Sequence, residues 1–311
     1  MAGRLVVVNA NAARVRDPGE RGQLIARLRS VLGRMDHADP AVVETAAAQE
    51  VPGLVERALA DGARGVVGVG GDGTLRDLAA AVAEKHVPLG VIPTGTGNQL
   101  ASALGVPRRP TDAVDALATA VARRVDLGSV ELRHPDGSVR TQTFTIGCGA
   151  GFDARLMATT PAAWKRRIGQ LAYFLQGARL ALRLEAAPYR IVLDGRVIEL
   201  EATIVLVGNM GQLAPGLLQP RLPLVPDDGQ LDLIVVRARD PVEGLRGLLD
   251  QLWRTSPGRG AGGAGLRLRG SSIRVEPLVA QPLEVDGDHV GEGSLHASVR
   301  PSVLEVLVPP R

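Results

Sequence analysis

The chain has 311 residues, 45% of them hydrophobic and 22% charged, with a formal net charge of +3. That length sustains two domains with cores of their own, and the composition is that of an ordinary globular protein. Only 2% of the residues are aromatic, so Val, Leu, Ile and Ala must build the core, and base-stacking platforms for a single-stranded nucleic-acid partner are excluded.

Residues 5–9 form the first strand candidate, an apolar run too short for a signal peptide. Residues 21–32 have helical periodicity, with Leu24, Ile25, Leu28 and Leu32 on one face. A short strand at 42–45 and a helix through 55–59 follow. Residues 65–69 read as a buried strand that runs into Gly70-Gly71-Asp72-Gly73-Thr74, and 75–83 as a helix. A strand at 88–93 meets a second glycine turn, Gly95-Thr96-Gly97-Asn98, before a helix at 99–104. Thr111 is placed to cap a helix over 112–121. Strands alternating with helices imply a doubly wound parallel sheet, an α/β domain over residues 1–125.

Beyond residue 125 the pattern changes. Strands at 129–133 and 139–146 flank the turn Pro135-Asp136-Gly137, and strands at 190–193 and 197–207 flank Asp194-Gly195, a strong two-residue hairpin signal. Further strands are expected at 231–236, 266–275, 283–285 and 303–308, with helices at 162–184 and 242–253 and a glycine-rich loop at 256–265. The second domain, 126–311, is thus a mostly antiparallel β-sandwich-like body, with the extreme C-terminal residues placed to pack back on the first. The lone Cys148 lies in an apolar run and reads as a small core residue; a single cysteine fits a reducing cytoplasm. The five histidines show no metal-ligand spacing. Nothing approaches eighteen consecutive apolar residues, so membrane contact would be peripheral. Trp164-Lys165-Arg166-Arg167 opens a helix whose basic, aromatic end suits an anionic surface or simply a solvated helix end. An exposed sheet edge in the second domain leaves homodimerisation open.

A glycine turn between strand and helix exposes backbone N–H groups beside the positive end of a helix dipole, an arrangement that holds phosphate. Two such turns in neighbouring βα units suggest a nucleotide tail. Asp72 between the glycines either caps a helix or works on that phosphate, through Mg2+ or as a proton acceptor.

Gly-Gly-Asp-Gly-Thr followed by Pro-x-Gly-Thr-x-Asn resembles the diacylglycerol kinase catalytic domain family, which includes bacterial lipid kinases and sphingosine kinases. The resemblance continues through Val125–Gly128 in sequence, the run 147–154, the spacing of Lys165, Gly169 and Tyr173, the pair Gly208-Asn209, the segment 226–232 and Val285-Asp286-Gly287-Asp288. It implies a two-domain fold with the active site in the cleft, ATP and Mg2+ as cofactors, and a lipid acceptor. Gly70, Gly71, Asp72, Gly73, Thr74, Leu75 and Arg76 would cradle phosphates, and Asn9, Thr45 and Thr96 would border the nucleotide. Asp72 and Asp288 would be catalytic. An accessory Mg2+ would take the Asp228 carboxylate with the carbonyls of Val225 and Gln230. Three departures stand out: Asp288 replaces the family's usual Glu, Gln99 stands where many relatives carry Asp, and Asn9-Ala10-Asn11 replaces the family's Asn-Pro loop. NAD kinases share the first glycine motif, so an NAD kinase-like enzyme and a catalytically silent nucleotide- or lipid-binding protein remain alternatives. The sequence leaves the acceptor open between diacylglycerol, a sphingoid base, phosphatidylglycerol and a specialised polyol.

Overall fold

The computed structural model describes residues 3–45, 50–151, 186–211, 226–237, 258–259 and 265–310. The expected helices at 162–184 and 242–253, the basic run 164–167, the motif positions Lys165, Gly169 and Tyr173 and residue Val225 lie outside them; of the loop expected over 256–265 only residues 258, 259 and 265 are described, and they belong to strands. The chain divides into two compact units. One comprises Met1–Asp126 with Ser302–Arg311, the other Leu127–Pro301.

The first unit begins with β1 (Leu5–Asn9), α1 (Pro18–Asp36), β2 (Ala41–Thr45), α2 (Val51–Ala60) and β3 (Val66–Gly70). It continues with α3 (Asp72–Val82), β4 (Leu89–Pro93), α4 (Gln99–Ala103) and α5 (Pro110–Leu117). The strands lie parallel in the order β2-β1-β3-β4. β3 and β4 are buried along their whole length, which is why they read as continuous apolar runs rather than alternating ones. Helix α1 packs on α5, and α2 on α3. The α1 helix starts at Asp17, whose carboxylate accepts the N–H groups of Gly19 and Glu20. Because β2 and β3 flank β1 on opposite sides, the chain reverses direction across the sheet between β1 and β3. The C-terminal ends of those two strands, Asn9 and Gly70, therefore meet where open α/β sheets take ligands.

The expected helix over 112–121 is shorter and earlier. Pro110 occupies its first turn, its N-cap Arg109 contributes no side-chain bond, and it ends at Leu117. The next strand, β5 (Val121–Arg133), already starts where that helix was expected to end. Proline at the start fixes the helical backbone angle without losing a needed N–H, and this outweighs the cap Thr111 offered.

The second unit is antiparallel. After β5 come β6 (Val139–Phe144), β7 (Gly147–Gly151), β8 (Ala187–Leu193), β9 (Arg196–Ala202), β10 (Ile204–Gly208) and β11 (Leu231–Val236). They are followed by β12 (Gly258–Arg259), β13 (Gly265–Gly270), β14 (Ser272–Pro277), β15 (Pro282–Val285), β16 (Asp288–Glu292) and β17 (Ser294–Val308). One layer runs β12-β13-β11-β10-β7-β15-β16. The other contains β14 between β17 and β8, with β9 beyond β8 and β5 paired to β6. Alternate residues of both layers make the core: Leu231, Leu233 and Val235 from one, Tyr189, Ile191, Ile273 and Val275 from the other. This period of two is the signature of a sandwich.

Two expected strands divide in the structure, and a third is shorter. The strand expected over 139–146 ends at Phe144, as β6. Residues 197–207 divide at Thr203, whose N–H donates to the Val236 carbonyl. Residues 266–275 divide into β13 and β14, which belong to different layers. The break is held by Asp194, whose carboxylate accepts the N–H groups of Ser271 and Ser272 and the Ser271 hydroxyl. Asp194 (φ 46°) and Gly195 (φ 84°) form the expected hairpin turn. No helix among the described residues is long and apolar enough to cross a membrane.

Candidate functional site

In the first unit the two glycine turns form a single object. Gly71 is the N-cap of α3, so the first-turn N–H groups of that helix emerge beside it, without partners inside the helix. A β-carbon on Gly95 would lie 2.7 Å from the Gly71 Cα, and one on Gly97 would lie 2.7 Å from Asp72 Oδ2. The turns thus touch backbone to backbone, which only glycine permits. Asn98, in the left-handed region with φ 53°, closes the second turn on itself. Its Oδ1 accepts the Gly95 N–H and its Nδ2 donates to the Gly95 carbonyl, both at 2.9 Å.

Asp72 ties the turns together. Its Oδ1 accepts the Leu100 N–H at 3.1 Å, capping the start of α4. Burial pushes its carboxyl above the ordinary value, while the N–H groups of Leu100, Gln99, Asn98 and Asp72 itself pull the other way. Of the two sequence readings, capping is the one the geometry displays, with the difference that the capped helix belongs to the other turn.

The remaining predicted residues of this unit gather around the same strand ends. Asn9 Nδ2 donates to the Thr74 hydroxyl at 2.8 Å, and Asn9 Oδ1 accepts the Asn11 N–H. This Asn–Thr bridge joins β1 to α3 at the reversal point of the sheet. Gly70 is packed under Thr74, whose Cβ lies 2.6 Å from where a Gly70 β-carbon would be. Gly73 stands in open space: the nearest atom to a β-carbon there is Arg76 Nη2 at 3.9 Å. Thr96 is exposed. Arg76 is half-buried and lies 3.5 Å from Asp77. Leu75 is fully buried in the core and its N–H donates to the Gly71 carbonyl, so it supports the turn from beneath. Thr45, at the end of β2, is buried and donates its hydroxyl to Glu50.

In the second unit Asp286 (φ 49°) and Gly287 (φ 82°) make a two-residue hairpin turn between β15 and β16. The Asp286 carboxylate is gripped from outside the hairpin. It accepts the N–H groups of Thr145 (2.9 Å), Ile146 (2.8 Å) and Gly147 (3.1 Å), and the Thr145 hydroxyl at 3.1 Å. Buried Glu284 accepts the Gly287 N–H at 2.8 Å, and buried Asn209 donates to the Thr145 carbonyl at 3.0 Å. Asp288, the next residue, is exposed at the head of β16. The clamp residues Thr145, Glu284 and the Asp286 carboxylate escaped the reading of the sequence. The Asp-Gly pair was its one local signal. Cys148 is buried beside this cluster; burial, then the charges of Glu284 and Asp286, push its thiol well up, so it packs as a small apolar residue.

The carboxylates expected to hold Mg2+ do not fit it. Asp228 Oδ1 accepts the Gln230 N–H, and Asp228 Oδ2 is paired with the Arg269 guanidinium. The carboxylate that should meet a cation already faces one. Asp72 has one oxygen on the Leu100 N–H and the other against Gly97. Among the described residues no three His, Cys, Asp or Glu side chains cluster to hold a metal.

Residues 4–130 match the diacylglycerol kinase catalytic domain, and residues 147–308 match the YegS C-terminal NAD kinase beta sandwich-like domain. A Pseudomonas aeruginosa protein named "Probable lipid kinase YegS-like" is 32% identical over 82% of this chain and 80% of its own length. The chain belongs to the diacylglycerol kinase catalytic domain family. Another relative, "Uncharacterized protein sll0036" of Synechocystis, is 25% identical over 78% of the chain, which spans only 54% of that protein. A crystal structure of a diacylglycerol kinase from Bacillus anthracis has the same fold, with a TM-score of 0.72 at 20% identity, covering 99% of this chain and 97% of that one. Both glycine turns lie within the first matched range, and the Asp286-Gly287 hairpin and Asp288 within the second.

Proposed function

We propose that the chain transfers the γ-phosphoryl group of ATP to a hydroxyl of a lipid, diacylglycerol-like or sphingoid. The observation that carries this reading is the fused pair of glycine turns, with the α3 first turn opening into space at Gly73. Backbone N–H groups fixed before the substrate arrives stabilise charge on a transferring phosphoryl group without reorganising. The family and the relative named as a lipid kinase support the acceptor class. Gly70–Arg76 in sequence cradles the phosphates, Asn9 fixes Thr74 beside them, and Thr45 and Thr96 border the nucleotide. Asp72 positions the second turn. Asp288 takes the proton of the attacking hydroxyl as its oxygen bonds to phosphorus and ADP leaves. Mg2+ accompanies the nucleotide, with neither Asp72 nor Asp228 assigned to it. The protein works at the cytoplasmic face of a membrane as a peripheral visitor.

The test is a phosphorylation screen with labelled ATP and Mg2+ over diacylglycerol, sphingoid base and phosphatidylglycerol in mixed micelles, with NAD as a soluble acceptor. Label is expected in a lipid. NADP formed without labelled lipid would replace this reading with the NAD kinase one. ATP binding without transfer to any acceptor would make the chain a nucleotide sensor.

Gly73→Ala separates the phosphate cradle from a merely structural turn. The structure has room for the methyl group, and alanine is the better helix former by up to about 1 kcal/mol. The melting temperature should hold or rise slightly. A ligand approaching the same backbone meets the methyl group, so affinity for ATP should fall about tenfold, the equivalent of 1.4 kcal/mol. Unchanged affinity in a titration of the folded variant would place the phosphates elsewhere.

A further inference from the structure

The misfit at Asp228 is part of a larger arrangement. On β13, Arg267 and Arg269 are two residues apart and so share a face of the strand. Asp232 on β11 is the cross-strand partner of Arg269. Its Oδ1 accepts from Arg267 Nε at 2.8 Å and lies 3.7 Å from Arg269 Nε. Arg267 and Asp232 are almost completely buried, with side chains 6% and 2% exposed. Arg269 reaches on from Asp232 to Asp228, in the turn that precedes β11. Two guanidinium groups thus serve two carboxylates, and the charges of the network sum to zero. The turn itself is shaped from within by Gly229 (φ 69°) and by the Gln230 N–H on Asp228 Oδ1.

A divalent cation at Asp228 would have to displace Arg269 or sit against it. Displacement strands a half-buried guanidinium; coexistence leaves the network with two surplus positive charges in a partly desolvated place, where like charges repel strongly. We infer that Arg269 takes the cation position at Asp228, so that the turn over residues 226–230 is held by the chain's own guanidinium rather than by a divalent metal ion. A family position for Mg2+ has been internalised as a side chain. The consequence is a second unit whose stability does not depend on Mg2+, whatever the nucleotide requires.

The test is thermal unfolding of the full chain, without nucleotide, in EDTA, in MgCl2, and in NaCl at matched ionic strength. The wild type is expected to melt at the same temperature in MgCl2 and in matched NaCl. Arg269→Ala is expected to melt several degrees lower and to recover part of the loss in MgCl2 alone, and the recovery should vanish in Arg269→Ala/Asp228→Asn. Arg269→Gln, which keeps the stem, serves if the alanine variant does not fold. A wild type stabilised by Mg2+ over matched salt, with the effect lost in Asp228→Asn, would overturn the inference. An Arg269 variant that folds and stays indifferent to Mg2+ would overturn it as well, because the place Arg269 vacates would then not be a cation position.

Discussion

Asp286→Ala should destabilise the chain by about 3–5 kcal/mol, among the larger effects a single substitution produces. For a unit of this size that lowers the melting temperature by about 10 °C. Two losses add. The first is the clamp: the carboxylate accepts the N–H groups of three successive residues and the Thr145 hydroxyl. Hydrogen bonds to a charged group contribute about 1.5–3 kcal/mol each when removed singly, and Thr145 is buried at 1% exposure, where an orphaned donor is costly. The second is the turn. Asp286 has φ 49°, a left-handed conformation that Asp and Asn tolerate and that costs alanine about 1–2 kcal/mol. Asp286→Asn separates them. It keeps the turn chemistry and one acceptor oxygen, so its loss should be about half that of alanine. Urea unfolding of both variants is the measurement. If alanine and asparagine cost the same small amount, the carboxylate does not anchor this hairpin.

The alternation of strand and helix in the first unit was legible because it is written locally: short apolar runs break off at polar or glycine-rich turns, and helical faces repeat within a dozen positions. The hairpins at Asp194-Gly195 and Asp286-Gly287 were legible for the same reason, since the positive backbone angles they need are a property of two adjacent residues. What the sequence concealed is carried by side chains reaching far along the chain. Residues 266–275 read as one strand; they are two because Asp194, 77 residues away, takes the N–H of Ser271. Asp72 read as a carboxylate aimed at phosphate or capping a helix nearby; its hydrogen-bond partner is 28 residues on, at the start of α4. Asp228 read as a metal ligand, and nothing near it in sequence announces Arg269, 41 residues later and set opposite β11 by the strand register. The candidate phosphate turns were visible, but their fusion into one rigid piece was not, because Gly71 and Gly95 meet only once β3 and β4 lie side by side.

That anchoring bears on the role proposed for Asp288. A general base must be held at a fixed place while its carboxylate stays accessible to a substrate hydroxyl. Asp288 follows directly on a turn that is pinned by Asp286 to residues 145–147 and by Gly287 to Glu284, and it is itself exposed. A rigid backbone carrying an exposed carboxylate suits chemistry better than support. Asp288→Asn preserves the shape and removes the basicity. It should lower kcat for phosphoryl transfer to a lipid by about 10²- to 10⁴-fold, the usual share of a general base, with the affinity for ATP unchanged. Being exposed, the substitution should alter stability by no more than about 0.5 kcal/mol. The contrast with Asp286→Ala, two residues earlier, is the discriminating feature: one variant loses the fold's support and the other only the reaction. Asp288→Glu, which restores the residue usual in the family, should keep kcat within about tenfold, because one methylene changes reach without changing the group that takes the proton. Steady-state kinetics on the folded variants decides the matter. An Asp288→Asn protein that phosphorylates lipid at the wild-type rate would remove Asp288 from the chemistry.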